Sequence, residues 1–164
     1  MVREEWGDRL IRSWNERWFD LPSVVGDRLA PLLGAGPGEV LLSDSPSVNL
    51  FKLAGAALDV RPDRPVVVTD DLNFPTEVHV LDAAARARGR RVEVVASDGV
   101  HGPVDDLVAA LDHDTAVLSL SSTTFTSGYT YDVAELTARA HAVGALALWD
   151  LSHSVGAVPL DLGG

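Results

Sequence analysis

The sequence predicts an α/β domain with a mainly parallel sheet and helices on both faces. Three observations lead there. The runs Val66-Val67-Val68, Ala116-Val117-Leu118 and Ala145-Leu146-Ala147-Leu148-Trp149 are apolar throughout instead of alternating, which is the pattern of strands covered on both sides. From Ser47 onward such runs alternate with segments of helical spacing. The joints between them are short, and Gly89 and Gly144 stand where two helices should end.

Taken in order, Trp6, Leu10, Trp14 and Trp18 are spaced by four and would share one face of a helix over about residues 3–17. A second helix is expected over about 22–33, with Pro22 in its first turn and Gly34 closing it. The cluster Gly34-Ala35-Gly36-Pro37-Gly38 precedes a short expected strand, 39–43, so it reads as a turn and not as a phosphate loop. Further helices are expected over about 47–58, 75–88, 104–111 and 132–143, with strands over 65–69, 91–95, 115–121 and 145–150. Residues 1–38 then form an N-terminal helical segment and 39–164 an α/β core.

Composition narrows the function classes. The 164 residues carry 13 basic and 24 acidic side chains, a net charge of −11, and form no Lys/Arg cluster, which argues against nucleic acid or an anionic membrane as partner. With 46% hydrophobic residues and no cysteine, the chain is long enough for a core without disulfides, and thiol catalysis is excluded. The N-terminal stretch lacks a long apolar run, so no signal peptide or membrane span is expected and the expected location is the cytoplasm. Twelve of the 13 basic residues are arginine; Lys52 is the single lysine.

In a parallel sheet, ligands gather at the loops that follow the strands. Ser45-Pro46-Ser47 opens a helix, where free N–H groups and hydroxyls suit a phosphate; the alternative is that Ser45 or Ser47 caps the helix. Asp150 ends a hydrophobic strand, and His153 follows three residues later. A carboxylate in that position needs a cationic partner, such as a protonated heterocyclic nitrogen, or strong donors; the alternative is a loop cap. His153 is also open to readings as a metal ligand or a core histidine, although His101, His113 and His141 show no ligand spacing with it and His79 falls on an expected helix. Ser152 and His153 are neighbours, but no G-x-S-x-G turn supports hydrolytic Ser-His chemistry, and no Walker or G-x-G-x-x-G pattern follows a strand.

Four segments in order, EWGDRLIRSWNERW (5–18), DSPSVNLFKL (44–53), NFPTE (73–77) and WDLSHSVGAVPLDL (149–162), resemble the kynureninase family of fold-type-I, class-V-aminotransferase-like enzymes. The resemblance runs nearly end to end and implies part of a large domain that binds pyridoxal 5'-phosphate. It assigns Pro46 and Ser47 to the cofactor phosphate, Phe74 to the face of the pyridine ring, and Pro75, Thr76 and Glu77 to the lining. It places Ser121 at a strand end beside the cofactor, Asp150 on the pyridinium nitrogen and His153 next to it.

The activity so implied is hydrolysis of L-kynurenine, or a related amino acid, to anthranilate and L-alanine, in tryptophan catabolism and NAD biosynthesis, by a homodimer. Glu77 stands where the family usually has aspartate, and the 123–128 stretch is less aromatic and basic than the family's. The family's Schiff-base lysine and its small C-terminal domain lie beyond residue 164, so these residues alone are expected to be a fragment without activity. Another fold-type-I enzyme, such as a cysteine-desulfurase-like lyase, and a non-catalytic remnant remain the alternatives.

Overall fold

The computed structural model describes residues 2–163; Met1 and Gly164, the end points of the expected domain span, lie outside them. The chain divides into two compact units, residues 1–44 with 158–164, and residues 45–157.

In the first unit, α1 (Leu21–Leu29) tightens into a 3-10 turn, Ala30–Leu32, ahead of Gly34. The continuous helix expected over 3–17 is replaced by two π-helical segments, Val2–Arg9 and Trp14–Trp18, with Leu10 between them at φ +50°. The left-handed conformation of Leu10 breaks the helix axis between Trp6 and Trp14, so the aromatics do not continue along one stripe. Trp6 instead stacks on Trp18 with ring centroids 4.6 Å apart, and Trp14 meets Phe19 at 6.3 Å. The strand expected at 39–43 does not form, because the segment has no ladder partner among the described residues. It packs on α1: a Cβ at Gly26 would sit 1.8 Å from the Val40 carbonyl oxygen, so only glycine permits that approach.

The second unit runs α2 (Pro46–Val60), β1 (Val66–Asp70), α3 (Pro75–Arg86), β2 (Arg91–Val95), α4 (Val104–Ala110), β3 (Thr115–Ser121), α5 (Val133–Ala142) and β4 (Leu146–Asp150). Proline opens both α2 and α3, where its missing N–H costs no hydrogen bond. Asp132 caps α5 by accepting from the Glu135 N–H at 2.8 Å. All four strands are parallel in the order β2-β1-β3-β4. From β1 the chain first steps outward to β2, then crosses back to β3, so the direction of winding reverses between β1 and β3.

Strand periodicity sorts the core into two layers. Val66, Val68, Leu118 and Leu120 pack on Leu107 of α4 and Leu136 of α5. Val67 and Val117 pack on Leu50, Ala54 and Leu58 of α2 and on Leu81 of α3. Every residue of β1 and β3 is buried, as their apolar runs predict. The equally apolar β4 is only half-buried: it pairs with β3 alone among the described residues and lies at an edge.

At the opposite end from the strands' carboxyl termini, arginines satisfy carbonyls that helix ends leave without partners. Arg64 Nη1 donates to Val143 O at 2.8 Å and Thr115 O at 2.9 Å, and Arg61 Nε donates to Gly144 O at 3.0 Å. Arg90 Nη1 reaches Leu58 O at 2.5 Å, and Arg88 grips Asp59 through two bonds of 2.7 and 3.0 Å. A hydrogen bond to a charged donor contributes roughly 1.5–3 kcal/mol. Replacing Arg64 with Met keeps the aliphatic stem but removes both bonds, so urea unfolding should show a loss of about 2–3 kcal/mol. An unchanged midpoint would mean that the guanidinium is dispensable there.

Candidate active site at the carboxyl ends of the central strands

Buried strands that end in polar residues must satisfy those residues locally. Thr69 and Asp70 end β1, Ser119 and Ser121 end β3, and all four are buried. The Asn73 carboxamide ties the two strands together across the point where the winding reverses. Its Nδ2 donates to Thr69 Oγ1 at 2.7 Å and to Ser119 O at 3.2 Å, while its Oδ1 accepts from the Ser121 N–H at 2.6 Å. This residue fixes the β1–α3 loop, and Phe74 and α3 follow immediately.

That placement brings three of the expected site residues together. Parallel register sets Ser121 beside Asp150, and the first turn of α3 lowers Glu77 onto both. The Ser121 hydroxyl lies 3.1 Å from Glu77 Oε2 and 3.5 Å from Asp150 Oδ2. Asp150 Oδ1 is taken by its own loop, accepting from Ser152 N at 3.0 Å and Ser152 Oγ at 2.5 Å. The capping alternative therefore accounts for one carboxylate oxygen and leaves the other on the site. Among the described residues, neither carboxyl pairs with an arginine or lysine.

Burial pushes the Glu77 carboxyl up to about 8, with a hydrogen bond and the negative charge of Asp150 adding to the shift; Ser121 and the Phe74 backbone act against it. Near neutral pH, Glu77 thus keeps its proton.

The other expected residues lie at the same ends of their elements. Phe74 is the N-terminal flank of α3, with Pro75 and Thr76 in its first turn; its ring is 41% exposed and meets Phe125 edge-on at 5.0 Å. Pro46 and Ser47 open α2, where the Ser45 side chain makes no capping hydrogen bond, so the capping alternative fails for Ser45. His153 is exposed on the turn after β4 and hydrogen-bonds to none of the described residues; no group of acidic or histidine side chains among them could hold a metal ion. Among the described residues, no helix is long and apolar enough to cross a membrane.

Reading the sequence missed Asn73, Asp70, Tyr131 and Phe125 as parts of this site. The only local signal was Asp and Asn close behind a wholly apolar strand.

The sign of the Glu77 shift gives a test. A carboxyl whose folded value rises from the ordinary 4.5 to about 8 binds its proton more tightly in the native state. Its contribution is complete below pH 4.5 and is lost as the pH climbs toward 8. In the ligand-free protein, Glu77→Gln should therefore gain on the parent as pH rises. Calorimetry at pH 5 and pH 8 should show the Tm difference moving in favour of Gln by at least about 3 °C, on the order of 1 kcal/mol. A difference independent of pH would contradict the raised Glu77 carboxyl.

Comparison with known proteins identifies the family and the fold. The family described as aminotransferase class-V matches residues 42–163. A kynureninase of Pseudomonas fluorescens is 45% identical over 169 residues, covering 99% of this chain and 39% of the relative. A kynureninase of Burkholderia pseudomallei (strain 1106a) is 44% identical over 169 residues, covering 100% of this chain and 40% of the relative. The chain thus spans about two fifths of the length of the curated relatives it matches. Among solved structures, a C-DES mutant with glycine covalently linked to its PLP cofactor superposes with a TM-score of 0.71 at 18% identity, over 90% of this chain and 40% of that one, a likeness of fold alone. With its four parallel strands, its flanking helices and a family match over three quarters of its length, the chain belongs to the class-V aminotransferase family.

Proposed function

We propose that the chain is the cofactor-binding part of a kynureninase-like enzyme that uses pyridoxal phosphate to hydrolyse L-kynurenine to anthranilate and L-alanine. The observation that carries this reading is the acid pair of buried Glu77 and half-buried Asp150 at the carboxyl end of the sheet, with no basic side chain paired to it among the described residues. Its chemistry fits a cationic ring nitrogen. Half-exposed Phe74 offers a flat apolar face, and the uncapped start of α2 offers N–H groups and the Ser47 hydroxyl to a phosphate. The residues present therefore fit the cofactor.

When bound, pyridoxal phosphate supplies an electron-accepting ring that stabilises negative charge developing on the substrate carbons. The side chains of this chain orient and polarise that ring. Asp150 Oδ2 would hold a proton on the ring nitrogen, and Glu77, whose carboxyl burial raises to about 8, would stay protonated beside it. Ser121 fixes both carboxyls through its hydroxyl. Pro46 and Ser47 anchor the phosphate, Phe74 covers the ring with Pro75 and Thr76 behind it, and His153 stands at the mouth of the site on the turn after Asp150. The single lysine, Lys52, lies on α2 and not at the end of β4, so the 164 residues by themselves should release no anthranilate. The reading extends to a cytoplasmic homodimer serving tryptophan catabolism and NAD biosynthesis, which the sequence resemblance to the kynureninase family implies.

The 122–128 loop carries hydroxyls and Phe125 but no basic residue, which favours a desulfurase-like lyase as the second reading. Assaying the whole enzyme with L-kynurenine and with L-cysteine separates the two. Within the first reading, Asp150→Asn should lower kcat at least about tenfold, roughly 1.4 kcal/mol of barrier, because an amide does not hold the ring proton. Ser47→Ala should weaken cofactor binding instead. Anthranilate fluorescence at saturating pyridoxal phosphate should recover for Ser47→Ala and stay low for Asp150→Asn; recovery of both would reduce Asp150 to a loop cap.

A further inference from the structure

Asp70 and Tyr131 form a buried pair that nothing in the proposed chemistry consumes. Asp70 is fully buried, and its Oδ1 accepts the N–H groups of Leu72 and Asn73, each at 3.0 Å. Its Oδ2 accepts the hydroxyl of Tyr131, which is 4% exposed. Burial raises both groups, so the phenol keeps its proton and is the donor. Tyr131 in turn closes the loop after β3. Its N–H donates to Ser122 O at 2.9 Å, and the Thr124 N–H donates to Tyr129 O at 2.9 Å. The Tyr131 side chain packs against Gly102, where a Cβ would come within 2.3 Å of it, and its ring also lies near that of Trp149, the neighbour of Asp150.

One carboxyl group therefore joins two loops at the rim of the site. The first delivers Phe74, directly after Asn73, and the second delivers Phe125. Their rings meet at 5.0 Å and 65°, and each remains about two fifths exposed, at 41% and 42%. A buried polar pair is seldom the most stabilising filling for its volume, since apolar replacements are often neutral or better. What it does supply is a fixed geometry.

We propose that the Asp70–Tyr131 pair is a latch that positions Phe74 and Phe125 as one aromatic wall for the cofactor ring. Both residues act through the phenylalanines and are positioning residues. The proposal rests on the reading of the site as a pyridoxal phosphate pocket. Without the Tyr131 hydroxyl, the 122–131 loop loses, among the described residues, its only side-chain hydrogen bond to the end of β1, and Phe125 no longer braces Phe74.

The test uses the whole protein reconstituted with pyridoxal phosphate. Its readouts are the cofactor dissociation constant and the induced circular dichroism of the bound cofactor, a signature of ring orientation that a loss of global stability leaves unchanged at saturation. Tyr131→Phe removes one oxygen and should weaken binding at least fivefold and cut the induced signal by half or more. Phe125→Leu, at a half-exposed position, should cut the signal likewise, and Phe125→Tyr should restore it. Retention of both affinity and signal in Tyr131→Phe overturns the latch, and if that variant does not fold, an unchanged signal in Phe125→Leu overturns it. Failure of the unsubstituted protein to bind pyridoxal phosphate overturns the reading of the site and the latch together, an outcome distinct from failure of the variants alone.

Discussion

Burial of β1 and β3 on both faces is the constraint from which the rest of the larger unit follows. Such strands gain from apolar packing along their length, with each fully buried leucine or valine contributing about 1.5–3 kcal/mol. They must still end somewhere, and where they end the backbone and its polar side chains remain shielded from water. Thr69, Asp70, Ser119 and Ser121 are all at most 3% exposed, so each needs an internal partner. Asn73 supplies several of those partners from one position, spanning β1 and β3 where the winding direction reverses. The β1–α3 loop is rigid for that reason, and its rigidity is what allows Phe74 and Glu77 to be placed.

The two ends of the sheet are satisfied by opposite chemistry. At the strands' amino ends, Arg61, Arg64 and Arg90 donate to carbonyls at the carboxyl ends of helices or just beyond them. Guanidinium suits that task because its planar fork reaches two acceptors at once, as Arg64 does with Val143 and Thr115. At the carboxyl ends, hydroxyls, a carboxamide and carboxyls predominate, next to the starts of α2 and α3. A chain of net charge −11 thus keeps its structural cations away from the site, and the acid pair is left for a ligand to neutralise.

The fold was legible because its signals were local. Valine runs, proline at helix starts and glycine after helix ends located all four strands and the helices α2 to α5 of the larger unit to within a few residues. The failures share one cause: they depended on what a segment meets. Apolar content suggested that β4 is covered on both sides, but coverage is a property of its neighbours. Residues 39–43 carry a strand's composition and find no ladder, while the spacing of Trp6, Leu10, Trp14 and Trp18 presumed a helical pitch that the segment does not adopt. For the site, Asp150 stood out by following an apolar strand, and Glu77 by its motif. Tyr131 reaches Asp70 across 61 residues of sequence, and no spacing rule announces such a contact.

Glu77 shows which of two opposing effects governs the site. It sits in the first turn of α3, where the helix dipole favours a negative charge by about 0.3–1 kcal/mol. Removal from water disfavours that charge by several kcal/mol, and Asp150 adds repulsion. Burial wins, and the carboxyl rises to about 8. At neutral pH Glu77 therefore keeps its proton and brings no second negative charge to the site. Two ionised carboxylates in the same place would leave an uncompensated charge out of water. The Glu77 side chain lets its carboxyl reach the Ser121 hydroxyl from the first turn of the helix.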